Sequence, residues 1–278
     1  MVDAGMRFGV APPNWGPTGD PVVAGELAKA AEDAGWDGYF TWDALIVSDD
    51  PPPVFDPFVI LASVAAATER IRIGTCVLVP ARYKPHLLAM RLASLDVLSG
   101  GRLTVGVGLG DGGASFEAFG EPGDVSVRAE RLDATLELVD RLWSGETVTY
   151  HSDHYHLEGF TLNPLPIQKP RIPIWVGGDS PAALRRAARW DGWIGPDNDP
   201  MNKTLTDLKA VRSQINTSAE GQKQVDVAWA GQTGISGTVA VEDLAKAGAT
   251  WWIEVLIGDL EDVFNTVKRG PKPEPRRP

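Results

Sequence analysis

Residues Arg171–Arg189 read RIPIWVGGDSPAALRRAAR. The apolar run Ile172-Pro173-Ile174-Trp175-Val176 has the composition of a strand buried on both faces. Gly177 and Gly178 follow, then Asp179-Ser180-Pro181 and a segment rich in Ala, Leu and Arg that is expected to be helical. Ser180 stands where an N-cap belongs, and Pro181 occupies the first helical position, where its missing N–H costs nothing. The two glycines allow a sharp turn and let a ligand approach with no Cβ in the way. The free N–H groups of a helix start, its dipole and the Ser180 hydroxyl suit a phosphate. Taken alone, the stretch is equally an ordinary capped strand–turn–helix connection, so the flanking chain has to decide.

N-terminal to it, Arg7–Ala11, Asp37–Asp43, Ile71–Val79 and Leu103–Gly108 read as strands one to four. Between them lie helical spacers, among them the stripe Val23, Leu27, Ala30 and Ala34 closed by Gly35, the segment capped at Asp56-Pro57, and Pro85–Leu98. A helix over Arg128–Trp143 follows. The rhythm then breaks over Ser144–Lys169, where Thr147–Tyr150 and Tyr155–Leu157 suggest a small hairpin inserted before strand five. Beyond the opening stretch come strands at Gly192–Gly195, Val225–Ala230 and Thr250–Leu256, with helices at Leu205–Ile215, Val241–Ala247 and Leu260–Lys268. Eight strand–helix units with short loops predict an α/β fold, a closed TIM (β/α)8 barrel, rather than a doubly wound sheet. Residues 1–270 are expected to form one barrel domain, with 271–278 a flexible tail.

Among 278 residues, Lys plus Arg number 26 and Asp plus Glu 37, a net charge of -11 that opposes non-specific nucleic-acid binding. Cys76 is the only cysteine, which excludes a disulfide framework and a cysteine-based zinc site. The N-terminus lacks a basic and then apolar leader, and no apolar run approaches ~18 residues. A soluble cytoplasmic chain without membrane contact is expected, with Met6 a candidate alternative start.

In such barrels the working surface lies at the carboxyl ends of the strands. That face would collect Asn14 and Trp15, Trp42 and Asp43, Gly74-Thr75-Cys76 with Arg82, Tyr83 and Lys84 beyond, Gly108, Gly110 and Asp111, then Gly177, Gly178 and Ser180. Trp252 and Glu254 share one face of strand eight by period two. Aromatic side chains, glycine-marked loops and one anion site together suit a flat phosphorylated cofactor. His154 and His156, at i, i+2, could pair with a carboxylate around a metal, but a solvated hairpin face accounts for them and no metal is assigned. A serine-hydrolase G-x-S-x-G elbow is absent, and the glycines at 106–113 match a dinucleotide loop poorly.

The chain resembles the luciferase-like monooxygenases, barrels that use FMN or the deazaflavin F420. The likeness runs through DPFVILASVAAATERIRIGTCVLVPARYKP and LASLDVLSGGRLTVGVGLG, then RLDATLELVDRLWSGE, HYHLEGF, IPIWVGGDSPAALRRAARWDGW and GATWWIEV. It implies a flavin-type ring near Thr75 and Cys76, with a non-prolyl cis peptide at this strand-three bulge supporting the ring's face. It implies that Gly177, Gly178 and Ser180 hold the phosphate, with help from Tyr155; Trp15 and Gly108, read from the strand-end face, are expected to border the cofactor. The family usually reads Trp-Asp-His after strand two, where this chain has Trp42-Asp43-Ala44. Alanine can neither carry a proton nor donate a hydrogen bond from its side chain. Either Asp43 or Glu254 handles protons instead, or the chemistry is altered. Asp43 is equally well read as a structural carboxylate on loop amides, and Glu254 as a paired structural acid.

The expected function is thus an FMN- or F420-dependent oxidoreductase or monooxygenase acting on a small organic substrate, with Trp15, Trp42 and Trp252 as an apolar wall. A separate flavin or F420 reductase and a homodimer are possible partners. The alternative is a flavin-binding barrel with little turnover, motivated by Ala44. A phosphosugar-type barrel without redox chemistry is a weaker third.

Overall fold

The structure is a computed structural model that describes residues 5–110, 112–195, 205–218, 225–233 and 241–271. Asp111 and residues 272–278 of the expected tail lie outside the described residues. Eight strands close a barrel: β1 (Arg7–Ala11), β2 (Gly38–Thr41), β3 (Arg72–Leu78), β4 (Leu103–Val107), β7 (Ile174–Gly177), β8 (Gly192–Gly195), β9 (Asp226–Gly231) and β10 (Trp251–Val255). All neighbours run parallel, and β1 pairs with both β2 and β10. The remaining pair, β5 (Val148–His151) and β6 (His156–Phe160), forms the separate antiparallel hairpin expected before the fifth barrel strand.

Around the barrel lie α1 (Gly16–Gly19), α2 (Pro21–Ala34), α3 (Pro57–Ala67), α4 (Pro85–Leu98), α5 (Ala114–Glu117), α6 (Val125–Trp143), α7 (Pro181–Arg189), α8 (Leu205–Ser218), α9 (Val241–Lys246) and α10 (Leu260–Arg269). Their starts follow local chemistry. Asp20, Asp56, Asp124, Ser180 and Asp259 each accept a first-turn N–H, and proline opens α2, α3 and α7. Gly35, at φ 88°, ends α2. The Asp124 cap starts α6 three residues before the expected Arg128. The short helices α1 and α5 carry too few residues to show a period and were not foreseen. β2 ends at Thr41, so Trp42 and Asp43 lie beyond it rather than inside it.

The barrel interior is solid. Phe40, Trp175 and Trp251 meet with centroids 5.4–5.8 Å apart, flanked by Ala11, Ile194, Ala228, Ala230 and Ile253. Glycine makes the room: a Cβ on Gly192 would stand 2.1 Å from Trp175 Cδ1, and one on Gly38 2.6 Å from Phe40 Cε2. Residues of opposite parity, such as Val10, Tyr39, Val105 and Trp252, join the larger apolar layer beneath the helices. Among the described residues, no helix is long and apolar enough to cross a membrane.

Candidate active site

Above the aromatic filling, Cys76, Val77 and Val255 pack on the interior and stay partly exposed, forming a floor at the carboxyl ends of the strands. The Cys76–Val77 peptide is cis, at the place where the β3–β4 register shifts between Thr75 and Leu78. This is the strand-three bulge where the family resemblance implied such a bond. The Thr75 hydroxyl donates to the Gly106 carbonyl at 2.7 Å and is buried, so it braces β3 against β4. Val77 meets two glycines: a Cβ on Gly108 would lie 2.8 Å from Val77 Cγ2, and one on Gly177 3.3 Å from Val77 Cγ1. Thr75, Cys76, Gly108 and Gly177 are therefore brought together.

From Gly177 the chain turns through Gly178, at φ 99°, whose carbonyl accepts the Trp193 indole N–H at 2.7 Å. Ser180 Oγ accepts from the Ala183 N–H at 3.2 Å, and the Ser180 carbonyl accepts from Leu184 N at 3.0 Å. Pro181 has no N–H, so the helical pattern leaves the Ala182 N–H and the Ser180 O–H at an exposed helix start. Arg186 clamps α7 to α6 with two bonds to Asp133, at 2.7 and 2.8 Å. Tyr155 sits on α6 as well, its oxygen accepting from the buried Thr135 hydroxyl at 3.1 Å. This sets Tyr155 against α6, the helix that Arg186 ties to α7.

On the other side, Trp15 and Trp42 pack edge to face, centroids 5.0 Å apart at 79°. The buried indole N–H of Trp42 finds no acceptor among the described residues. Asn14, 1% exposed, ties three loops: its amide donates to the Ala44 and Phe55 carbonyls and its oxygen accepts the Ala44 N–H, at 2.9–3.0 Å.

Asp43 is buried with both oxygens occupied. Oδ2 accepts the Val79 N–H and Oδ1 the Tyr83 hydroxyl, each at 2.9 Å, while Arg82 donates to the Asp43 carbonyl at 2.7 Å. Burial pushes its pKa up to about 6, against the lowering effect of the Val79 N–H, Arg82 and the Tyr83 hydroxyl. This carboxylate holds the loop after β3 in place.

Glu254 stands elsewhere. Trp251, Ile253 and Val255 belong to the interior side of β10, so Glu254 and Trp252 point outward. Glu254 accepts the Trp252 indole N–H at 2.9 Å, the Thr233 N–H at 2.7 Å and the Thr233 hydroxyl. Burial raises its pKa and these bonds oppose the rise. The expectation that Trp252 walls the mouth is corrected on the same ground, because it packs in the layer beneath the helices.

Arg82, Phe116 and Arg128 did not stand out in the sequence as a unit. Both guanidinium carbons lie 5.3 Å from the Phe116 ring centroid. Arg82 reaches Ser115 at 3.2 Å and Arg128 reaches the Leu109 carbonyl at 2.7 Å, so the two arginines pin α5 beside the mouth.

A parallel barrel with an apolar floor and a capped helix start beside it is the frame of a phosphorylated-cofactor barrel. The luciferase-like monooxygenase model matches residues 6–248, and the chain belongs to that family. An F420-dependent glucose-6-phosphate dehydrogenase of Microbacterium testaceum is 33% identical over 207 residues, 72% of this chain and 60% of that protein. An FMNH2-dependent dimethylsulfone monooxygenase of Pseudomonas putida is 26% identical over 199 residues, 71% of this chain and 54% of that protein. The chain thus spans less than two thirds of both relatives. Among solved structures, the monooxygenase RslO1 of Streptomyces bottropensis superposes with a TM-score of 0.77 at 21% identity, over 95% of this chain and 97% of that one. That likeness shows the shared fold.

Proposed function

We propose that this protein is an oxidoreductase that binds FMN or coenzyme F420 across the mouth of its barrel and acts on a small organic substrate. The observation that carries this reading is that Val77 on the floor lies where a Cβ on Gly177 would touch it, which sets an apolar platform beside an open, capped helix start. The residues fit a flat ring with a phosphate: Gly108 and Gly177 make room for the Val77 side chain on the apolar floor, and Ser180 with the Ala182 N–H makes a donor set for an anion. Such a ring, when bound, supplies two-electron transfer or, when reduced, reaction with oxygen. Ser180 and α7 hold the phosphate, assisted by Tyr155. Cys76 and Val77 support the ring, and Trp15 and Trp42 exclude water from one side. Trp42 also contributes an N–H that lacks an acceptor among the described residues. A separate reductase is the source of reduced cofactor.

Proton handling favours a second reading. Ala44 offers no proton, Glu254 points outward, and both Asp43 oxygens are engaged. A barrel that binds cofactor with little turnover has the same site. Parallel fluorescence titrations with FMN and F420, followed by substrate-dependent oxidation assays, separate the two. Tight binding of one cofactor with turnover supports the enzyme, and binding without any oxidation supports the binder. Binding of neither at tens of micromolar overturns both.

Ser180→Ala is expected to weaken cofactor binding by roughly 1–3 kcal/mol, the size of a lost charge-assisted hydrogen bond. Unchanged affinity with a lowered melting temperature would reduce Ser180 to a helix cap.

A further inference from the structure

The hairpin carries a cluster unrelated to the mouth. The β5–β6 register sets His151 directly opposite His156, and Glu158 follows two residues later on the same face of β6. The neighbouring pair, Tyr150 opposite Leu157, faces the other way and packs against the main core. His151, His156 and Glu158 are thus left exposed together on the outer face. The two imidazole rings stack with centroids 4.3 Å apart and 15° between planes. His151 Nε2 lies 2.6 Å and His156 Nε2 3.3 Å from the same oxygen, Glu158 Oε1. One potential ligand atom from each residue lies within 4.8 Å of the others, and this is the one such group among the described residues. His154, which the sequence paired with His156, points instead to Glu130 on α6 at 3.1 Å.

We propose that this face of the hairpin binds a divalent transition-metal ion, best matched by Zn(II), through His151, His156 and Glu158. Tetrahedral zinc with bonds of about 2.0–2.1 Å sets its ligand atoms about 3.4 Å apart, close to the His156–Glu158 separation. Two imidazoles and a carboxylate match zinc, copper and nickel and suit magnesium or calcium poorly. A small rotation of the exposed His151 ring opens its short contact with Glu158 and admits the ion, and water completes the shell. Because the ligands come from both strands, the ion staples β5 to β6.

The test is calorimetric titration of the full-length, tag-free, chelator-treated protein with zinc chloride, beside thermal melts with and without zinc. One equivalent of zinc is expected to bind with micromolar affinity and raise the melting temperature. His151→Ala, His156→Ala and Glu158→Gln should each weaken binding at least tenfold, and the double variant His151→Ala/His156→Ala should abolish it. His154→Ala, outside the cluster, should leave it unchanged. Because all three ligands are exposed, these variants retain the fold, which their far-UV circular dichroism checks. No saturable binding up to millimolar zinc, or equal affinity in the double variant, overturns the proposal.

Discussion

Asp43→Ala is expected to lower stability by about 3 kcal/mol, because it strands the Val79 N–H, the Tyr83 hydroxyl and the nearby Arg82 without their carboxylate in a buried site. Chemical denaturation measures it, and a loss under about 1 kcal/mol would mean that the loop after β3 re-satisfies these donors. Asp43→Asn separates charge from shape, since the amide keeps one acceptor oxygen and does not titrate. The folded-state pKa of about 6 lies above the ordinary 3.8, so the native state holds the proton more tightly than the unfolded chain. The stability this contributes is fully present below the ordinary value and is lost as pH rises through about 6. Relative to Asp43→Asn, the wild type should therefore lose about 2–3 kcal/mol between roughly pH 4 and pH 7. A flat difference across that range would place Asp43 at an ordinary pKa and remove the case for a strongly desolvated carboxylate.

Two glycine substitutions should separate the barrel wall from the floor of the site. A Cβ on Gly106 would stand 2.2 Å from the Thr75 carbonyl oxygen, which is backbone and can move only by parting β3 from β4. Gly106→Ala is expected to cost about 3 kcal/mol, the upper range of overpacking, and to disturb cofactor binding with it. A Cβ on Gly108 would meet only the Val77 side chain, at 2.8 Å. That β-branched side chain has few rotamers to retreat into, so it must shift toward the mouth. Gly108→Ala should then cost about 1 kcal/mol of stability yet weaken FMN or F420 binding at least tenfold, about 1.4 kcal/mol. Urea denaturation and fluorescence titration read the two quantities separately. Undiminished cofactor affinity in Gly108→Ala would remove Val77 and Gly108 from the binding floor.

Much of this protein was legible along the chain because the deciding interactions are local. The eight-strand barrel and the inserted hairpin follow from alternation, and the helix starts follow from caps such as Asp56-Pro57 and Ser180-Pro181, which act over two or three residues. The turn at Gly177–Gly178 was readable for the same reason. Period two correctly put Trp252 and Glu254 on one face of β10.

Which face looks inward was decided only by closure of the barrel. Its strands are buried on both sides, so neither face is marked by polarity, and Trp252 ended in the layer beneath the helices while Glu254, on the same face of β10, is held by Thr233. Asp43 finds Val79 and Tyr83 across 36 and 40 residues, and such partners leave no spacing to recognise. The hairpin histidines make the same point at short range. Their i, i+2 pattern suggested His154 with His156, whereas the register of the turn set His151 opposite His156 and gave His154 to α6. Caps, turns and periodicity are written in neighbouring residues and survive in the sequence; facing, pairing and burial depend on which distant segments the closed sheet brings into contact.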